Sequence, residues 1–147
     1  MANYGHITSR KWFRVDELEG HVKEIIARFF PLLTARMYIS SDSVGVTVSA
    51  PDDEFNGLFI EVETRNRLST RRPAGIVWSW AFTVIQNELA VKYGGRRTDD
   101  GIVGRIANKP TGTWPTYEAW LRAANSSSEE WIQTMMAAAK DVAWLHN

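Results

Sequence analysis

The segment VGVTVSAPDDEFNGLFIEVET, residues 44–64, carries the reading of the fold. Val44, Val46 and Val48 alternate with Gly45, Thr47 and Ser49, and Leu58, Ile60 and Val62 alternate with Phe59, Glu61 and Glu63. A period of two marks strands with one apolar and one wet face. Two registers are open across the connection between them. A two-residue turn at Asn56-Gly57 would set Asp52 opposite Glu61, a workable pair for a cation, but would put the two apolar sets on opposite faces. Matching the apolar sets instead, for example Val48 with Ile60, leaves residues 51–57 as a loop and strands Asp52, Glu61 and Glu63 in water. A slip of one residue reverses sidedness, so burial selects the second register.

Working outward, residues 36–40 add a strand through the turn at 41–43, which predicts a three-stranded antiparallel meander covered on one side. Upstream, Leu18, Val22, Ile25 and Phe29 form one helical stripe that follows Asp16 as N-cap and stops before Pro31. Residues 11–15 are read as a lead-in or an optional short N-terminal strand, and residues 1–10 as a flexible arm. Downstream, residues 74–93 are apolar nearly all round, the signature of an enclosed helix, and Gly94-Gly95 stops it. Residues 96–112 read as loop. A short helix ends near Ala124, and the pattern Ser127-x-x-Glu130 is a capping box that opens a last helix over 128–145. The order α-β-β-β-α-α-α is α+β: the meander packed on a buried central helix, in one domain over 11–147.

Composition narrows the chemistry. The 147 residues carry 17 Lys+Arg against 17 Asp+Glu and no Cys. Absent Cys removes disulfide scaffolds, Cys-ligated zinc, iron–sulfur clusters and thiol catalysis. A net charge of zero argues against a surface that grips nucleic acid or anionic lipid everywhere. The longest near-apolar run, 74–85, falls short of the roughly 20 residues a bilayer needs, and Met1 to His6 contain no apolar signal core. The expectation is a soluble protein without a membrane partner, in the cytoplasm or a virion. His6, His21 and His146 have neither metal-pair nor triad spacing.

The order of the elements, with Pro51-Asp52 followed by Phe59-Ile60-Glu61-Val62-Glu63-Thr64, resembles the core of the PD-(D/E)xK nuclease superfamily. That resemblance implies carboxylates on neighbouring strands holding Mg²⁺ against a phosphodiester, with Asp52 and Glu61 as metal ligands and catalytic groups and Glu63 assisting. Glu63 stands where that pattern usually has Lys. The α-β-β-β-α order, with basic residues ahead of the second helix, also resembles double-stranded-RNA-binding domains, a likeness of topology alone.

Charge is lopsided along the chain. Arg65, Arg67, Arg71 and Arg72 follow directly on the acids of 52–63, and Arg96-Arg97 follow the central helix. Arg recognises phosphate and carboxylate bidentately and stacks on aromatic rings. Trp144 lies off the apolar stripe of the last helix. These seven residues are the expected partner-binding set, on a chain of 12 Arg, 5 Lys and 7 Trp that leans towards interface use. The leading expectation is a non-enzymatic interaction or assembly protein without cofactor, self-associating or meeting another protein, of the kind a phage or virus uses. The alternatives are the Mg²⁺-dependent nuclease and an RNA- or DNA-binding module.

Overall fold

Alternating valines in the middle of the chain do build a sheet, and it is wider than three strands. A computed structural model describes residues 4–51, 53–71, 73, 75–99, 105–106 and 117–139. The strands are β1 (Tyr4–Thr8), β2 (Thr34–Ile39), β3 (Val44–Ala50), β4 (Asp53–Thr64), β5 (Arg67–Arg71), β6 (Arg96–Asp99) and β7 (Arg105–Ile106). The helices are α1 (Val15–Phe29), α2 (Ile76–Tyr93), α3 (Tyr117–Asn125) and α4 (Glu130–Ala139). All seven strands form one antiparallel sheet in the order β2-β3-β4-β5-β1-β6-β7.

The apolar register prevails, two residues along from the pairing expected. Val46 faces Ile60 and Val48 faces Leu58, all four fully buried. Each such side chain contributes about 1.5–3 kcal/mol by leaving water, which a slip by one residue would forfeit. The long loop expected over 51–57 is absent. Pairing shifts after Ser49↔Gly57 to Ala50↔Asp53, so an irregularity in β4 absorbs the extra residues and the strand begins at Asp53.

The N-terminal arm is a correction. Residues 4–8 form β1, an interior strand paired with β5 on one side and β6 on the other, whereas 11–14 are not a strand. Only Ile7 on β1 is strongly apolar, and it is fully buried. The strand is held by two backbone ladders more than by side-chain pattern. The Arg-rich stretch after Thr64 is likewise a two-residue turn and a strand, with Leu68 and Thr70 inward and Arg67, Ser69 and Arg71 on the other face.

One face of the sheet is covered. α1 packs on β2 and β3, and α2 on β1, β4 and β6. α1 begins one residue before Asp16, after Arg14 in an extended conformation, so Asp16 sits in the first turn and favours the positive helix start there. α2 is enclosed as its composition demands, because α3 and α4 form a further layer outside it. Trp80 stacks on Trp120 of α3 with centroids 5.1 Å apart, and Trp78 meets Trp131 of α4 at 4.8 Å. Gly94 takes the left-handed conformation (φ 62°) that a side chain would resist, and Gly95 N–H returns to Ala90 O at 2.8 Å. At the open edge, the β2 amide of Met37 donates to Glu19 Oε2 of α1 at 2.6 Å. The helix thus caps a donor that would otherwise invite another strand.

Tyr93 ties the end of α2 to α1. Its hydroxyl lies 2.8 Å from His21 Nδ1, and its ring meets Phe13 edge-on at 4.6 Å. Burial, with a smaller push from the charge of Glu17, raises the phenol from its ordinary 10.0 to about 12. A pKa raised on folding means stability intact below the unfolded value and lost as pH climbs through the folded one. Denaturant titrations should therefore show wild type losing more stability between pH 10 and 12 than Tyr93→Phe. Parallel pH profiles would contradict this.

Candidate functional site

The face of the sheet opposite α1 and α2 carries the polar halves of the alternating strands. Along it, register places Arg67 and Arg96 on either side of Thr8. Neighbouring strands lie about 4.8 Å apart, so the two Arg backbones stand about 10 Å from one another. Residues nearly thirty positions apart in sequence share one surface only because β1 runs between their strands.

The chain leaving β1 brings further cations to the same end of the sheet. Ser9 anchors it: Ser9 Oγ donates to Tyr93 O (3.1 Å), Ser9 N–H to Asn66 O (3.0 Å), and Lys11 N–H to Ser9 Oγ (3.1 Å). Asn66 Nδ2 reaches Ser9 O at 3.0 Å, and Phe13 N–H donates to Arg65 O at 2.7 Å. The segment 9–13 is thereby clamped between the β4–β5 turn and the end of α2. Gly95 lets β6 close on β1, for a Cβ there would lie 2.8 Å from Thr8 O. Between these pieces opens a cavity of about 710 Å³ lined by Thr8, Ser9, Arg10, Lys11, Tyr93, Gly94 and Arg96.

The electrostatics of that cavity are one-sided. Arg10, Lys11 and Arg96 are exposed and pair with no carboxylate among the described residues. Arg67, beside them, has Glu63 at 3.4 Å, and Glu63 also lies 3.8 Å from His6 Nδ1. The exposed Arg67–Glu63 pair contributes at most about 1 kcal/mol, so Glu63 only partly offsets the local charge. Trp12 stands next to the cavity, 61% exposed, with the Arg65 guanidinium over its ring at 4.7 Å.

Three of the residues expected to bind a partner, Arg65, Arg67 and Arg96, therefore converge. Arg71 lies on the same face further along β5, opposite Tyr4. Arg97 belongs elsewhere, and this is a correction. It is 1% exposed, donates from Nη1 to Thr83 O at 3.0 Å, and lies over the Phe82 ring at 5.4 Å. β6 alternates, so one of two adjacent arginines must point inward. Arg72, Asp52 and Trp144 lie outside the described residues. Glu61 faces Gly45 and Ser69, on the uncovered face. Among the described residues no group of three or more His, Asp or Glu could hold a metal ion, and no helix is long and apolar enough to cross a membrane.

Arg10, Lys11 and Trp12 did not stand out in the sequence because Arg10 fell in the supposed arm and Lys11 and Trp12 in the lead-in after it. The available signal was the run Arg10-Lys11-Trp12-Phe13-Arg14, in which bases and aromatics interleave. A second cavity of about 170 Å³, between α1 and α2, is different in kind. It carries both charges: Lys92 Nζ lies 3.0 Å from Glu24 Oε2, a hydrogen bond that holds the Glu24 carboxyl below its ordinary value. That cavity is a helix–helix seam. The sequence matches no known family model and no curated protein.

The two arginines of β6 test this sidedness. Arg97→Ala removes a buried charged hydrogen bond and packed side-chain stem, and should cost about 3 kcal/mol in chemical denaturation. Arg96→Ala should stay within about 0.5 kcal/mol. Similar costs for the two would contradict the placement.

Proposed function

We propose that this chain is a non-enzymatic interaction protein that holds an anionic partner at the basic end of its sheet. The observation that carries the reading is the convergence of Arg10, Lys11, Arg67 and Arg96 around one cavity whose described lining residues include no acid. Gathering like charges opposes folding, and the two backbone ladders of β1 together with the Ser9 anchors hold them there regardless. A polyanion relieves that repulsion, so its binding is driven by charge and weakened by salt.

An assembly reading uses the same surface. β4 starts at Asp53, within the acidic run 52–54 of the sequence, and ends at Thr64 beside the Arg65 turn. One long strand therefore runs from the acidic stretch of the sequence to its basic one. A second copy meeting the first head to tail would make a heterologous contact, which propagates into rings or filaments.

Retention on a heparin resin tests the primary reading. Wild type should bind at low ionic strength, and the Lys11→Glu, Arg96→Glu double variant should pass through. The Arg36→Glu, Arg122→Glu variant carries the same change in net charge away from the cavity and should be retained much as wild type. Equal loss in both double variants would show that net charge, and not this site, governs binding.

A further inference from the structure

We infer that the partner taken at the basic end is single-stranded nucleic acid, with the phosphate backbone lying in the cavity and a base stacked at Trp12. This rests on the anion-binding reading and goes further by naming the ligand. Two features beyond charge point to it.

The first is Trp12 itself. Phe13 is buried and packed edge-on against Tyr93, while Trp12 beside it is 61% exposed. Its position is fixed, because the Phe13 amide is bonded to Arg65 O and the Arg65 guanidinium rests on the indole. An exposed indole backed by a guanidinium is a flat, preorganised platform, the type of surface on which unpaired bases stack. A run of Asp and Glu brings carboxylates for the cations but no aromatic face for the platform.

The second is shape. The cations line a concavity of about 710 Å³, within the range of sites that enclose small organic ligands. A flexible strand can feed its phosphates into such a hollow. A duplex is rigid and keeps its bases stacked inside, so it could touch only the rim and would leave Trp12 idle. Arg10, Lys11 and Arg96 in the cavity, with Arg67 on the adjoining sheet face, offer four cations to the backbone.

Fluorescence anisotropy with labelled oligo-dT and oligo-U strands, a hairpin duplex and labelled polyglutamate tests this. The single strands should bind more tightly than the duplex. With four phosphates neutralised, raising salt from about 50 to 200 mM should weaken them roughly 50-fold, and Arg96→Ala should flatten that salt slope by about 0.7. Trp12→Ala should weaken single strands about 10-fold while leaving polyglutamate unchanged, and Trp12→Phe should restore much of the loss. Unchanged far-UV circular dichroism and thermal midpoint would certify the fold of each variant. Equal affinity for duplex and single strand, or indifference to Trp12→Ala, would overturn the inference. If the strands fail while polyglutamate binds in an Arg96-dependent way, this inference falls and the anion-binding reading stands. If none of the probes binds, both fall.

Discussion

The pairing of β1 between β5 and β6 is the constraint on which the rest of this structure depends. Five residues, Tyr4 to Thr8, supply both ladders. Without them the sheet would divide into the β2–β5 meander and the short β6–β7 ribbon, and an isolated two-stranded ribbon is marginal in water. The same strand leads directly into Ser9, Arg10 and Lys11, whose backbone is bonded to the β4–β5 turn and the end of α2. One short strand thus completes the sheet and assembles the basic cavity.

Charge segregation follows from the layering. The covered face takes Val46, Val48, Leu58, Ile60, Leu68 and Ile7 against α1 and α2, so charged residues of the strands are driven to the other face or to the strand ends. Among the described side chains Arg97 is the exception. Its side chain reaches the α2 backbone and a ring of that helix, so a cation takes the inward position of β6 where an apolar residue would be expected. A zero net charge therefore coexists with a locally basic surface, which composition alone hides.

Much of the architecture was legible where side-chain pattern decides it. The parity of residues 44–64 chose the buried face, the nearly all-apolar stretch 74–93 announced an enclosed helix, and Gly94-Gly95 marked its end. What escaped were the elements that backbone pairing decides. β1 has a single large apolar side chain, β5 hides its inward Leu68 and Thr70 among arginines, and β6 has Arg97 as its inward residue. None shows a hydrophobic alternation in sequence, so β1 read as arm, β6 as loop and the residues of β5 only as a cluster of charge. The site inherited that gap: Arg65, Arg67 and Arg96 stood out as charges, but their shared surface required β1, and with it came Arg10, Lys11 and Trp12.

Amide hydrogen exchange across residues 5–8 tests the placement of β1 most directly. An interior strand bonded on both sides exchanges only through large-scale opening, so these amides should be protected to a degree comparable with those of β3 and β4. Exchange of residues 5–8 at the rate of a free peptide, with β3 and β4 still protected, would show a loose arm, and the basic cavity built on that strand would not exist.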